Sequence, residues 1–262
     1  MTTAETPPIL RDKHHDAASA FTPESLLREA RRQKGADKVA VPKTCLLDPD
    51  GDIVRQLKAD GRARRHEGWV CYHTDLWLFD LEGQEVGVVG CAVGASFAVL
   101  VAEEMFASGC ETLISVTSSG QITPIGAPPY FILIDRSLRD EGTSYHYLPP
   151  SDWSDAPELL LSRLEGAFDT GPRVLCGSTW TTDAPFRETE AAISAARARG
   201  VLAVEMEAAG LYAFARARSR AVICLAHVTN QMGTIEGDFE KGEANGADDA
   251  LWVVSRIAER LR

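Results

Sequence analysis

The stretch Ala221 to Thr229 reads AVICLAHVT and is apolar at nearly every position. A strand with one face in water alternates apolar and polar residues, so a near-continuous run needs cover on both faces. The chain must therefore build a sheet with helices on each side. Further strands are predicted over Val39–Leu47, Trp69–Leu81, Glu85–Cys91, Thr112–Thr117, Tyr130–Asp135, Arg173–Gly177 and Leu202–Glu205. Helical stretches lie between them. The first opens on Thr22-Pro23-Glu24 as N-cap, first-turn proline and early acid, carries Leu26, Leu27 and Ala30 on one stripe, and stops at Gly35. Others are predicted over Asp52–Ala59, Ala95–Ser108, Ala156–Phe168, Glu188–Arg199, Met206–Arg218 and Ala247–Leu261. Glu82-Gly83-Gln84 reads as a hairpin turn, which makes the sheet mixed rather than purely parallel. Asp48-Pro49-Asp50-Gly51 is a turn cluster, and residues 136–155, polar and turn-rich, read as a surface excursion. The expected fold is α/β, a three-layer α/β/α sandwich around a central mixed β-sheet. Residues 1–20 are expected to be a flexible N-terminal arm and residues 21–262 a single domain.

At 262 residues the chain can bury roughly three quarters of its unfolded surface, so its core needs no disulfide or metal. The six cysteines form no CxxC pair, and neither a disulfide framework nor a metal site is expected. A net charge of -11 repels nucleic acid phosphates and anionic lipid, which excludes both as expected partners. The opening MTTAETPPILRDKHHD has no apolar core of a signal peptide, and no stretch is long and apolar enough to span a bilayer. A cytoplasmic location is expected.

Five segments can carry chemistry. Val89 to Met105 runs from a strand through Cys91-Ala92-Val93-Gly94-Ala95-Ser96 into a helix, where small residues admit a ligand to the helix N-terminus or serve only tight packing. Leu113 to Ile122 is expected to end a strand in Thr117-Ser118-Ser119-Gly120, whose hydroxyls could hold phosphate or a sugar oxygen, or form an ordinary turn. Gly177 to Thr189 offers Trp180 and Phe186 as flat surfaces for a base, with Asp183, Arg187 and Glu188 as polar contacts. Val201 to Ala217 places Glu205 and Glu207 either side of Met206 where a strand becomes a helix. A carboxylate there can accept from two vicinal hydroxyls, as on a ribose, or can complement the helix dipole. Val222 to Gly233 ends its strand at Thr229-Asn230, an amide suited to a base edge, while His227 within the apolar run reads as a satisfied core histidine.

In this order the segments resemble the nucleoside phosphorylase family that includes uridine and bacterial purine phosphorylases, from about Pro42 to the C-terminus. The most specific piece is Val204-Glu205-Met206-Glu207-Ala208-Ala209, which looks like the family's ribose motif. The resemblance implies that Glu207 and Met206, with Glu205, hold the ribose. It implies that Thr182, Phe186 and Arg187, with Ser119 and Gly120, face the base, and that Asn230 and Asp183 join Glu207 in catalysis. It assigns phosphate to Gly94, Ser115 and Ser118, and implies a homo-oligomer, a dimer or a hexamer, with sites completed by a neighbour. The sequence departs from the family at the phosphate end. Ser115 stands where an arginine is usual, the usual Gly-Thr pair reads Thr117-Ser118, and the early phosphate loop reads Leu47-Asp48-Pro49-Asp50-Gly51-Asp52. Tyr72 stands where a neighbour-donated arginine is expected, and Phe186-Arg187-Glu188 lacks the pyrimidine-reading Gln-x-Arg. Arg55, Arg64, Arg65 or Arg187 are the available substitutes. The leading expectation is phosphorolysis of a purine or pyrimidine ribonucleoside, with inorganic phosphate as co-substrate and no cofactor. Hydrolysis on the same scaffold, with Glu205 or Asp52 orienting water, and non-catalytic nucleoside binding are the competing expectations.

Overall fold

The computed structural model describes residues 6–232 and 236–262. The first five residues of the expected arm, and Gly233 at the end of the fifth segment, lie outside them. Among the described residues, ten strands form one mixed sheet. These are β1 (Thr44–Asp48), β2 (Arg64–Arg65), β3 (Trp77–Leu81), β4 (Gln84–Gly90), β5 (Thr112–Gln121), β6 (Tyr130–Asp140), β7 (Trp153–Asp155), β8 (Val174–Thr182), β9 (Val201–Glu205) and β10 (Ala221–Asn230). The helices are α1 (Pro23–Lys34), α2 (Asp52–Ala59), α3 (Ala95–Ala107), α4 (Ser144–Tyr147), α5 (Glu158–Arg163), α6 (Glu190–Ala198), α7 (Ala208–Arg218) and α8 (Ala247–Leu261).

The strand order is β10-β6-β8-β9-β5-β1-β4-β3-β2, and β10 also pairs with β5. That extra pairing closes β10, β6, β8, β9 and β5 into a ring, while β1, β4, β3 and β2 extend from it as an open wing. The apolar run Ala221–Thr229 lies in β10, which is parallel to β5 on one side and antiparallel to β6 on the other. Its residues divide between two cores. Val222, Cys224 and Ala226 face the layer of α3 and α7, and Ile223 and Leu225 face the layer of α8. Both layers bury large apolar side chains completely, Leu113, Met105 and Phe214 in one and Leu46, Ile114 and Val254 in the other.

The ring explains where the structure departs from the sequence reading. β5, β6 and β8 run past their predicted ends because their hydroxyl-rich tails pair with each other and with β9. The stretch 136–155 is no surface excursion. Ser137, Arg139, Ser144 and Ser154 are buried, and Arg139 donates to Ser144 Oγ (2.8 Å), the Pro149 carbonyl (2.8 Å) and Ser151 Oγ (2.7 Å). Only Trp77–Leu81 of the predicted Trp69–Leu81 strand is extended; Trp69 turns inward from a loop and donates its indole N–H to Thr74. The predicted helix after Ala156 holds only over Glu158–Arg163. Thr22 caps α1 through Ser25 N–H and Gly35 ends it in the left-handed region. Within residues 6–20, His15 Nε2 meets the Tyr145 carbonyl at 3.2 Å and Ser19 Oγ accepts from Arg218 at 3.1 Å.

Candidate active site

Two strand-to-helix junctions frame the site. At the first, β9 ends on Glu205 and α7 starts at Ala208, two residues later than predicted. Glu205 causes the delay. Its Oε2 accepts the N–H groups of Glu207 and Ala208, each at 2.7 Å, so the chain turns under the carboxylate before the helix begins. Its Oε1 accepts the hydroxyls of Thr181 (2.5 Å), Thr179 (3.1 Å) and Ser137 (3.2 Å). Burial raises its pKa. With both oxygens engaged inside the protein, Glu205 is not the sugar ligand that the sequence suggested; it positions the turn that carries Met206 and Glu207.

Glu207 is 1% exposed. Its Oε1 accepts the N–H of Gly94, which caps α3 at a φ of 88°, a conformation open to glycine. Its Oε2 finds no partner among the described residues. Burial, then repulsion from Glu205, pushes its pKa to about 8, against the pull of the Gly94 N–H and the Thr117 hydroxyl. A buried acceptor without a donor costs about 1–3 kcal/mol, which marks this oxygen as a place for a ligand hydroxyl. Met206 is half-buried beside it.

At the second junction β1 ends on Asp48 and α2 starts at Asp52. Asp48 is 2% exposed, accepts from Gly51 N–H (3.1 Å) and Val54 N–H (2.9 Å), and is pushed to about 7 by burial. Asp50 reaches across to β5, where one carboxylate oxygen takes both the N–H of Ser118 (2.7 Å) and the Ser118 hydroxyl. A cavity of about 20 Å³ lies there, lined by Asp48, Asp50, Asp52, Thr117, Ser118 and His227. His227 is buried and stacks on Phe131 at 4.3 Å, but it is not the satisfied core histidine expected, because its Nε2 has no partner among the described residues. Burial and the nearby Lys241 lower its pKa to about 4.

In this arrangement the groups expected to meet phosphate are bonded within the chain or buried. Gly94 gives its N–H to Glu207, Ser118 gives both donors to Asp50, and Ser115 is 1% exposed in mid-sheet, flanked by Leu47 and Cys224. Three of the four substitute arginines are ion-paired, as is Lys241, while Arg187 is exposed. Arg55 binds Asp52 (2.6 Å) and the Asp50 carbonyl (2.7 Å), Lys241 binds Asp52 (2.5 Å), Arg65 binds Asp75 (2.7 Å) and Arg64 binds Glu85. Asp52, which also lines the small cavity, is held by Arg55 and Lys241. Asp50 is the acid that sequence reasoning missed, because its setting in Asp-Pro-Asp-Gly reads as a turn.

The expected base-side residues are only partly brought together. Asn230 ends β10 opposite Gly120, with Nδ2 on the Ser119 carbonyl (3.3 Å) and Oδ1 taking Met232 N–H (3.0 Å). A Cβ on Gly120 would stand 2.3 Å from the Met232 sulfur, so glycine permits this close approach. Ser119 is buried, and its hydroxyl has no partner among the described residues. Thr182 is buried and accepts Ala184 N–H (3.1 Å); Asp183 is exposed and accepts Gly142 N–H (2.8 Å). Arg187 is exposed. Phe186 borders a cavity of about 430 Å³ whose walls include Gln121, Ile122, Glu188, Arg197 and Met232. Tyr72 donates its hydroxyl to Gln33 (2.8 Å).

Among the described residues no group of three or more His, Cys, Asp or Glu side chains is arranged to hold a metal ion, and no helix is long and apolar enough to cross a membrane. The sequence profile of the phosphorylase superfamily matches residues 46–261. The chain is 28% identical over 214 residues to a DeoD-type purine nucleoside phosphorylase of Bacillus subtilis, covering 77% of this chain and 88% of that one. It is 28% identical over 242 residues to a uridine phosphorylase of Thermococcus kodakarensis, covering 85% and 80%. Among solved structures, uridine phosphorylase from Vibrio fischeri superposes with a TM-score of 0.72 at 16% identity, over 88% of this chain and 98% of that one. The chain belongs to the phosphorylase superfamily and is an enzyme of its nucleoside phosphorylase family.

Proposed function

We propose that this protein cleaves the N-glycosidic bond of a ribonucleoside and that water, not phosphate, is the acceptor. One observation carries the choice of acceptor: the Asp50 carboxylate sits on the N–H and hydroxyl of Ser118. Those donors would otherwise serve an incoming anion, and a fixed carboxylate there repels one. The cavity beside Asp50, about 20 Å³, has room for a single water.

In this reading the free Oε2 of Glu207 takes the sugar hydroxyls, with Met206 alongside. The bond from C1′ to the base lengthens and positive charge gathers on the sugar. Asp50 lies near enough to Glu207 to raise its pKa, so its charge also stabilises a sugar cation in this low-dielectric cleft. Asp50 orients the water that captures the cation. Phosphorolysis is the second reading, favoured by the names of the relatives, and it requires Asp50 to leave Ser118.

The test is base release from uridine, inosine, guanosine and adenosine, with and without phosphate. Free ribose formed at the same rate in both conditions is expected. Strict phosphate dependence with ribose 1-phosphate as product would establish phosphorolysis, and no release from any nucleoside would leave binding without turnover.

A further inference from the structure

The cavity of about 430 Å³ is of the size that small-molecule sites use. Its wall includes Gln121, the last residue of β5 after Gly120, and Gln231, which follows Asn230 at the end of β10. Phe186 at its lip is 99% exposed and offers an open aromatic face. We propose that Glu188, in the wall of this cavity, is the acid that protonates the departing base; this rests on the N-glycosidic cleavage proposed above.

Three observations point to Glu188 over its neighbours. It is half-buried, whereas Asp183 and Arg187 on the same segment are exposed. No cation pairs with it among the described residues. The other charged groups on the cavity wall are Glu190 and Arg197, and Arg197 gives Nε and Nη2 to the Ile122 carbonyl at 2.9 and 2.7 Å. Burial without a counter-ion pushes the Glu188 carboxyl to about 7, so a large fraction keeps its proton at neutral pH. Asn230 cannot fill this role. An amide gives up no proton, and both ends of this one are already bonded to the chain.

The step balances. The C1′–N bond breaks and its electron pair goes to the base. The Glu188 O–H proton passes to a conjugated acceptor of that base, a ring nitrogen or a carbonyl oxygen, leaving a neutral base and a Glu188 carboxylate. Water adds to C1′, and the proton it releases restores Glu188 through solvent. The substrate class is a nucleoside whose base presents such an acceptor to the cavity.

The test compares wild type with Glu188→Gln on a nucleoside and on p-nitrophenyl β-D-ribofuranoside, whose leaving group departs as a stable anion. Wild-type kcat/KM on the nucleoside should fall as pH rises through about 7. Glu188→Gln should lose about 100-fold on the nucleoside, show no such fall, and lose little on the nitrophenyl riboside. Retention of the wild-type rate and pH profile, or equal loss on both substrates, overturns the assignment. A wild-type protein that releases no base from any nucleoside overturns the functional reading itself, and this one with it.

Discussion

The junctions β1–α2 and β9–α7 follow one plan. In each, the last residue of the strand is a buried carboxylate that accepts N–H groups at the start of the following helix, Asp48 in one and Glu205 in the other. In each, the acid two residues further on reaches toward a neighbouring element, Asp50 toward β5 and Glu207 toward the start of α3. The difference lies in what the second acid leaves open. Glu207 keeps a buried oxygen with no hydrogen-bond partner among the described residues, while Asp50 places an oxygen on both donors of Ser118. One junction is open to a ligand's hydroxyls. The other has filled, from its own chain, the donors that an anion would use.

The largest expected effects separate the two acids of one junction. Glu207→Ala should lower kcat/KM by about 100-fold or more, with the melting temperature little changed, as when an oriented ligand-binding group is removed. Glu205→Ala should act through the fold. It strands the N–H groups of Glu207 and Ala208 and takes an acceptor from the Ser137, Thr179 and Thr181 hydroxyls, so a loss of about 2–3 kcal/mol or more and a Tm lower by roughly 5–10 °C are expected. Steady-state kinetics and a thermal melt on both variants check this. A stable, inactive Glu205→Ala beside an unstable Glu207→Ala would reverse the assignment of positioning and ligand-binding roles.

The acceptor end sharpens the comparison with a smaller effect. Asp50→Ala frees the N–H and hydroxyl of Ser118. Base release without phosphate should drop about tenfold or more as the oriented carboxylate is lost, and added phosphate should now stimulate it. Product analysis for ribose 1-phosphate decides. A variant as active as wild type and as indifferent to phosphate would show that Asp50 touches neither water nor anion.

Periodicity made the layers and most elements legible, because β10 and α8 bury continuous or regularly spaced apolar residues. The motif around Glu205 and Glu207 pointed to the β9–α7 junction. It could not say which acid is engaged, since that depends on Thr179 and Thr181 of β8 and Ser137 of β6, strands that meet only in the closed ring. The ring itself was hidden for the same reason. Its strand tails are rich in serine and threonine, which look like turns until a buried carboxylate gathers their hydroxyls. Asp50 was masked by turn residues, and Glu188 stood unseparated from Asp183 and Arg187 because spacing carries no information on depth.

The smallest expected effect is a slope of stability with pH. Glu207 at about 8, and Asp48 and Glu188 at about 7, hold their protons above the ordinary carboxylate range in the folded protein. Between the unfolded and folded values the native state binds more protons than the unfolded chain, so stability declines as pH rises through that window. His227, lowered to about 4, acts in the opposite sense, but only below its ordinary value of 6.5. Above that value the acids act alone, and Tm should fall by a few degrees between about pH 6.5 and pH 8.5. Glu207→Gln keeps an oxygen for the Gly94 N–H and removes the ionisation, so its melt should fall less over the same interval. If both proteins lose the same number of degrees, the proton on Glu207 is not what the buried junction holds, and the contrast with Asp50 would have to rest on hydrogen bonding alone.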